Sequence, residues 1–460
     1  MGSGFDTIVA TYERRTPRSR NLNRRARAVL PGGDTRSVTS FAPHPTYIKA
    51  AHGATLIDVD GNEYLDFLNN YTSLIHGHGH PQVIRAIDQQ ISQVMAVAAP
   101  HELQIRLAEL ISERVASVEQ LRFCNSGTEA VMTALQAARA ATGRQVIAKM
   151  EGGYHGSYDH VRVGSQLRAS ATTAENGTGL SSGVRSEVLV LPFNGIEGTK
   201  RLLHSRGDDV AAIIIEPILG SSGMIPASND YLIALRELAT EIGALLIFDE
   251  VMTFRLDRGG YQALAAVRPD LTVYGKIIGG GLPIGAFGGQ ATLMEQFAPA
   301  PKGSMTHSGT FNGHPVVMAG GIATMELFDT EQISELNALG DRVRNGLNLV
   351  FEELELNAVA TGHGSLLDVH FGTQTVSSVR DARLTPADLS AAIHLELMNR
   401  GIFIAPRGMM NLSTAVTVAQ ADRLVDAWRD TLELLLPVID HSYPALRQSR
   451  RAAAVGERVS

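Results

Sequence analysis

The sequence predicts an α/β protein built on a mainly parallel sheet, and three observations carry that expectation. Four short apolar runs lie between residues 80 and 320: Gln145-Val146-Ile147-Ala148, Val188-Leu189-Val190-Leu191, Ala211-Ala212-Ile213-Ile214-Ile215 and Ala244-Leu245-Leu246-Ile247-Phe248. They lack polar–apolar alternation, as expected for strands buried on both faces. Helical stretches separate them, and strand–helix–strand repetition implies parallel strands with helices on both sides. Glycine is also in excess, at 45 of 460 residues, or about 10% against an average near 7%. Ligands of such sheets sit beyond the carboxyl ends of the strands, so the residues following each run carry the functional weight.

The flanking segments read differently. Residues 1–30 are a polar lead-in ending in a helix, where Leu22, Ala26, Ala28 and Val29 alternate with arginines at 14, 15, 18, 20, 24 and 25. Pro31-Gly32-Gly33-Asp34 breaks it. Residues 46–68 read as antiparallel strands with a hairpin turn at Asp60-Gly61, between Leu56–Val59 and Tyr64–Phe67. Residues 164–186, rich in Ser, Thr, Gly and Ala, read as a surface loop. From 323 to 436 the pattern is α+β, with a helix around 331–355, a strand at Leu366–Phe371 and a helix at 386–399. The last fifteen residues carry Arg447, Arg450, Arg451 and Arg458 and read as a frayed basic tail. The expected division is a large unit over 76–322, a smaller α+β unit assembled from 1–75 and 323–445, and a tail over 446–460.

Composition excludes several classes. One cysteine, Cys124, cannot make an internal disulfide, and no disulfide framework is expected. No run of about 18 apolar residues suggests a membrane-spanning helix. The opening Met1-Gly2-Ser3-Gly4-Phe5 lacks a secretory pattern, so a cytoplasmic protein is expected. A net charge of −7 argues against non-specific nucleic-acid binding.

Four features then fall in order along the parallel region. Asn125-Ser126-Gly127-Thr128-Glu129-Ala130 opens an apolar-periodic helix, where free backbone N–H groups and hydroxyls suit a phosphate. The same residues also read as an ordinary capping box. Gly152-Gly153-Tyr154-His155-Gly156 surrounds an aromatic ring with glycine, allowing a flat ligand to stack. Asp249 follows a buried run directly and suits a metal, a ribose hydroxyl or a protonated ring nitrogen, whereas Glu250 reads equally as a helix cap or surface charge. Lys276, in Tyr274-Gly275-Lys276-Ile277-Ile278-Gly279-Gly280-Gly281, is a lone lysine among apolar residues, where desolvation depresses its pKa and makes it an amine nucleophile. A phosphate cradle, a stacking ring, a carboxylate for a pyridine nitrogen and a Schiff-base lysine are what pyridoxal 5′-phosphate requires of a protein.

Over residues 20–435 the chain resembles a class III, fold type I, pyridoxal-phosphate-dependent aminotransferase. The motifs are Asn125–Ala130, Tyr154-His155-Gly156, Ile215-Glu216-Pro217, Asp249-Glu250-Val251, Gly275-Lys276 and His307–Pro315. The resemblance implies that Lys276 is the Schiff-base residue and Asp249 holds the pyridinium proton. Tyr154 and Val251 then cover opposite faces of the ring, with His155 also against the cofactor. Ser126, Gly127 and Thr128 hold the phosphate, Glu216 braces the region near Asp249, and Thr310 comes from the partner subunit of a homodimer with shared active sites.

Within that family the chain is similar both to β-amino-acid aminotransferases and to glutamate-1-semialdehyde 2,1-aminomutase. Asp249-Glu250-Val251-Met252-Thr253-Phe254-Arg255 lacks the glycine that aminomutases carry after the threonine, and Asn70-Tyr71-Thr72 replaces their Trp-Gly. Arg36 and Arg407 match carboxylate-binding arginines of the aminotransferases. Two guanidiniums at different reach suit a β-amino acid and an oxo acid sharing one site. The expectation is a transaminase using 2-oxoglutarate or pyruvate and passing through pyridoxamine phosphate. An aminomutase-like isomerase or a racemase stands as the alternative, and a non-catalytic pyridoxal-phosphate-binding protein as a remote one. Tyr71, His101 and Met409 are placed in the substrate pocket. His76, His78 and His80, with no companion carboxylate in sequence, read as a structural or substrate-side loop rather than as metal ligands.

Overall fold

The computed structural model describes residues 3–165, 179–299 and 304–448. Two helices, Ser3–Arg15 and Pro17–Ala26, lead into strands β1 (Ile48–His52), β2 (Thr55–Asp58) and β3 (Glu63–Asp66). They form the expected antiparallel set. The turn between β2 and β3 is tied by the Asp58 carboxylate, which accepts from the backbone N–H groups of Asp60 and Asn62.

The central sheet follows. Its strands are β4 (Gln120–Cys124), β5 (Val146–Met150), β6 (Val188–Leu191) and β7 (Val210–Ile215). After a small hairpin, β8 (Ile218–Leu219) with β9 (Ile225–Pro226), come β10 (Leu245–Asp249), β11 (Leu271–Gly275) and β12 (Gly285–Gly289). The order across the sheet is β4-β12-β11-β10-β7-β5-β6. β6, β5, β7, β10 and β11 are parallel neighbours, and β12 runs antiparallel between β11 and β4. The apolar runs thus become the parallel strands, buried along their length. Successive residues feed opposite faces: Ile213, Ile215, Leu246 and Phe248 enter one core, Ala212, Ile214 and Ile247 the other. β12 reads Gly-Ala-Phe-Gly-Gly because it lies against other backbone. A Cβ on Gly285 would stand 2.0 Å from the Ser126 carbonyl oxygen, and one on Gly289 2.3 Å from that of Asp270.

The C-terminal part forms β13 (Ala358–His363), β14 (Leu366–Phe371), β15 (Ile402–Phe403) and β16 (Met410–Asn411), with long helices at Thr330–Glu353 and Val418–Ser442. β15 pairs in parallel with β3. Ile8, Tyr12, Tyr64, Leu395, Trp428 and Leu432 share one apolar core, so both chain ends pack together. The expected boundary at 322/323 falls inside the continuous helix Pro315–Leu327.

The expected frayed tail needs correction at its start. Arg447 ion-pairs with Asp440 and Glu355 and forms a β-bridge with Leu356, while Gln448 donates to the Leu356 carbonyl. An arginine with two carboxylates and backbone carbonyls in reach docks rather than frays. Arg450, Arg451 and Arg458, and the 166–178 portion of the expected surface loop, lie outside the described residues. The end of that loop is helical at Ser182–Ser186, capped by Ser181. Among the described residues no helix is long and apolar enough to cross a membrane.

The shared core also holds a buried imidazole. His394 packs edge-on to Phe41 at 4.6 Å between ring centroids, and neither ring nitrogen finds a hydrogen-bond partner among the described residues. Burial pushes its pKa down to about 3. In the unfolded chain it titrates near 6.5, so below that pH the unfolded state binds the extra proton and stability falls. His394→Leu should therefore stabilise the protein by about 2 kcal/mol more at pH 5 than at pH 7.5. Urea denaturation at the two pH values checks this; an equal gain at both refutes it.

Candidate active site

The topology sets up the site. β4 and the parallel strands point the same way, so the residues after Cys124, Met150, Ile215, Asp249 and Gly275 emerge at one edge. Asp249 ends β10, nine-tenths or more buried. Its Oδ2 lies 2.7 Å from His155 Nδ1, and its Oδ1 accepts from the Val251 N–H at 3.1 Å. Burial holds the His155 pKa below its ordinary value against the opposing pull of Asp249. A neutral ring donating from Nδ1 fixes both groups. Its Nε2 has no partner among the described residues.

Glu216 follows β7 and accepts from the Tyr154 N–H at 2.8 Å and the Gly220 N–H at 3.3 Å. Burial, then the charge of Asp249, raises its pKa. Lys276 follows β11 with φ +50°, a left-handed conformation that is costly for a side-chain-bearing residue and concentrates at functional sites. Burial lowers its pKa; Asp249 and Glu216 oppose the shift and Arg407 reinforces it. Four separately predicted residues thus act on one another.

The helix Gly127–Thr142 begins at the same edge. Ser126 caps it, accepting from the Glu129 N–H at 3.2 Å, and Glu129 accepts from the Asn125 N–H at 2.6 Å. The Ser126 cap is present, but the box is not closed, because the Glu129 carboxylate accepts from Asn125 rather than from Ser126; the cap uses only an acceptor of the Ser126 hydroxyl and leaves its O–H to donate. Thr128 Oγ1 accepts from the Ser157 N–H at 3.2 Å, pressing the Tyr154–Ser157 loop onto the helix start. A Cβ on Gly127 would lie 3.3 Å from Val251, and one on Gly156, at φ +92°, 2.3 Å from Thr128 Oγ1. Tyr154 is 43% exposed. Thr310 is exposed, in a loop that reaches the helix start where Asn125 donates to Asn312 at 3.1 Å.

The predicted substrate residues also meet. The guanidiniums of Arg36 and Arg407 each stand 5.3 Å from the centroid of the Tyr71 ring. The Tyr71 hydroxyl donates to the Val38 carbonyl, and Arg36 to Asn70 Oδ1 at 2.8 Å. Tyr71 belongs to four consecutive left-handed residues, Asn69 to Thr72. Met409 is buried, with its sulfur 2.9 Å from Arg407 Nη2. His101 caps the helix Glu102–Ser112, accepting from Leu103. His78 pairs with Asp66 at 2.7 Å, a carboxylate distant enough in sequence to be missed, and His76 bonds to Thr414 and the Thr324 carbonyl.

Two residues near the site escaped the sequence reading. Glu250 is not a surface charge. It is fully buried and accepts from the N–H groups of Tyr261 and Gln262, from the Gln262 amide and from Thr253. Arg255 is fully buried and donates to Ser365, Asn411 and the Leu412 carbonyl, tying the chain beyond Asp249 to the C-terminal part. A charged residue directly after a doubly buried strand is the signal that marks Glu250; Arg255 lies further on, in the short helix Thr253–Arg255.

The donor set fits pyridoxal phosphate: a depressed-pKa lysine, a buried carboxylate steadied by a neutral imidazole, an exposed tyrosine, and a helix start against which the Gly156 backbone packs with no room for a Cβ. The comparisons agree. The family model for class III aminotransferases matches residues 38–436. A glutamate-1-semialdehyde 2,1-aminomutase from Methanothermobacter thermautotrophicus is 41% identical over 390 residues, covering 85% of this chain and 92% of that protein. Among solved structures, a β-phenylalanine aminotransferase from Variovorax paradoxus superposes with TM-score 0.87 at 37% identity, covering 94% of this chain and 99% of that one. An omega-transaminase from Sphaerobacter thermophilus gives 0.85 at 43%, covering 90% and 97%.

The Gly156 contact generates a test. Gly156→Ala combines a strained φ with a 2.3 Å clash against Thr128, so it should weaken cofactor binding by about tenfold, or about 1.4 kcal/mol. Titration of the apo-protein with pyridoxal phosphate reads this; parental affinity would contradict the cradle.

Proposed function

Because the chain belongs to the class III aminotransferases and is a pyridoxal-phosphate enzyme, we propose that it moves an amino group from a β-amino acid or amine to an oxo acid such as 2-oxoglutarate or pyruvate. The observation that carries this reading is the pair of guanidiniums flanking Tyr71, with Arg407 close enough to lower the Lys276 pKa. Two guanidiniums sharing one tyrosine ring suit a site that takes two acids in turn.

The cofactor, when bound, supplies an aldehyde that captures amines and a ring that withdraws electrons. Asp249, steadied by His155, would hold the proton on the ring nitrogen. Tyr154 and Val251 would cover the two faces, and Ser126, Gly127 and Thr128 would hold the phosphate. Lys276 Nζ would take the proton from the amine-bearing carbon and return it, as base and then acid. Glu216 would keep Tyr154 in place. Arg36 and Arg407 would seat the carboxylates beside Tyr71. We further propose a cytoplasmic homodimer in which Thr310 completes the partner's phosphate site; the exposure of Thr310 and of Phe311, at 56%, supports this. The division into a cofactor unit and a smaller unit made from both chain ends belongs to the same reading.

A second reading, an aminomutase-like isomerase, is favoured by the name of the 41% identical relative. It needs no external oxo acid. A panel of α-, β- and ω-amino acids, each with and without 2-oxoglutarate or pyruvate, separates the two, and turnover independent of both acids would refute the transaminase. Lys276→Ala should lose turnover together with the visible absorption of lysine-bound cofactor. Arg407→Ala and Arg36→Ala should raise KM for different partners, each about tenfold or more, as loss of a charged hydrogen bond predicts.

A further inference from the structure

Lys149 lies in β5 with no exposed surface, next to the apolar run that marks the strand. Its three N–H donors are all used: to the Gly153 carbonyl at 3.0 Å, the Val163 carbonyl at 3.0 Å and Ser165 Oγ at 2.8 Å. Ser165 Oγ also stands 2.7 Å from the Gly153 carbonyl oxygen. On the other side of the same peptide, the Tyr154 N–H donates to Glu216 at 2.8 Å.

The Gly153–Tyr154 peptide is therefore held at both ends, its carbonyl by the Lys149 amine and its N–H by the Glu216 carboxyl group. A peptide is planar, so it cannot turn without breaking both bonds. The loop needs such a restraint. Gly152 and Gly153 precede Tyr154, and glycine leaves the backbone loose. Burial pushes the Lys149 pKa down to about 7, and the acid opposing that shift is Glu216, the residue across the peptide.

We infer that Lys149 is a positioning residue which, with Glu216, clamps the Gly153–Tyr154 peptide and so fixes the Tyr154 ring against the cofactor. This rests on the reading that Tyr154 covers one face of the cofactor ring.

The test uses the full chain, with pyridoxal phosphate added to apo-protein of Lys149→Met, Lys149→Gln, Ser165→Ala and Tyr154→Ala. Three quantities are read: the cofactor dissociation constant, the visible circular dichroism per bound cofactor, and the apo-protein melting temperature. Lys149→Met should raise the dissociation constant about tenfold, as loss of a hydrogen bond predicts, and should diminish the dichroism. Lys149→Gln, which keeps N–H donors, should recover most of both at a similar melting temperature. Parental affinity and dichroism in Lys149→Met, with only a lower melting temperature, would overturn the clamp. If Lys149→Met does not fold, Ser165→Ala decides: weaker affinity and dichroism support the clamp, and unchanged values overturn it. Weak binding in Tyr154→Ala beside normal binding in Lys149→Met removes the clamp alone. Normal binding in Tyr154→Ala removes the stacking reading beneath it.

Discussion

The 2.7 Å hydrogen bond from His155 to Asp249 joins the two halves of the sheet's ligand edge. One partner ends β10, and the other sits on the loop after β5. Burial sets the direction of the shift at Glu216 and at Lys276, and the charge of Asp249 adds to the rise at the first and opposes the fall at the second, so this carboxylate couples both neighbours. A carboxylate this deeply placed would be costly to keep ionised without donors. The Val251 N–H and the His155 ring supply them.

The site is completed from outside the sheet. Arg36 and Tyr71 come from the N-terminal part and Arg407 from the C-terminal part, and the pairing of β3 with β15 brings those parts together. Arg255 adds a buried tether from the β10 side to Ser365, Asn411 and Leu412. The residues proposed to hold the cofactor thus stand on the carboxyl edge of one sheet, whereas those proposed to bind the acids come from the two chain ends, which long-range contacts position. That separation lets one cofactor scaffold carry different substrate pockets.

The sheet was legible because doubly buried strands have an unusual signature: Val188–Leu191 and Ala211–Ile215 are unbroken apolar runs. Asp249 and Lys276 were legible because each interrupts or ends such a run. β12 was not, because glycine is a poor strand former, and its Gly-Ala-Phe-Gly-Gly is explained only by backbone approaching from Ser126 and Asp270. Glu250 was misread because the four donors that justify burying it come from elements ahead of it in the chain. The start of the tail was misread for a similar reason: Arg447 looks loose in sequence, and only the fold brings Asp440 and Glu355 to it. His101 was placed in the pocket by position alone, while its side chain serves its own helix.

Asn69, Asn70, Tyr71 and Thr72 form a left-handed turn without a single glycine. Each such residue costs roughly 1–2 kcal/mol. Hydrogen bonds from the Asn69 side chain to Asn411 and from the backbone to Asp66 hold the turn in place. Selection for heat tolerance alone would accept glycine here, because it relieves the strain. The same change at position 71 would remove the ring on which both guanidiniums rest. If the ring seats the acids as proposed, breeding this protein for robustness and breeding it for substrate choice pull this one turn in opposite directions.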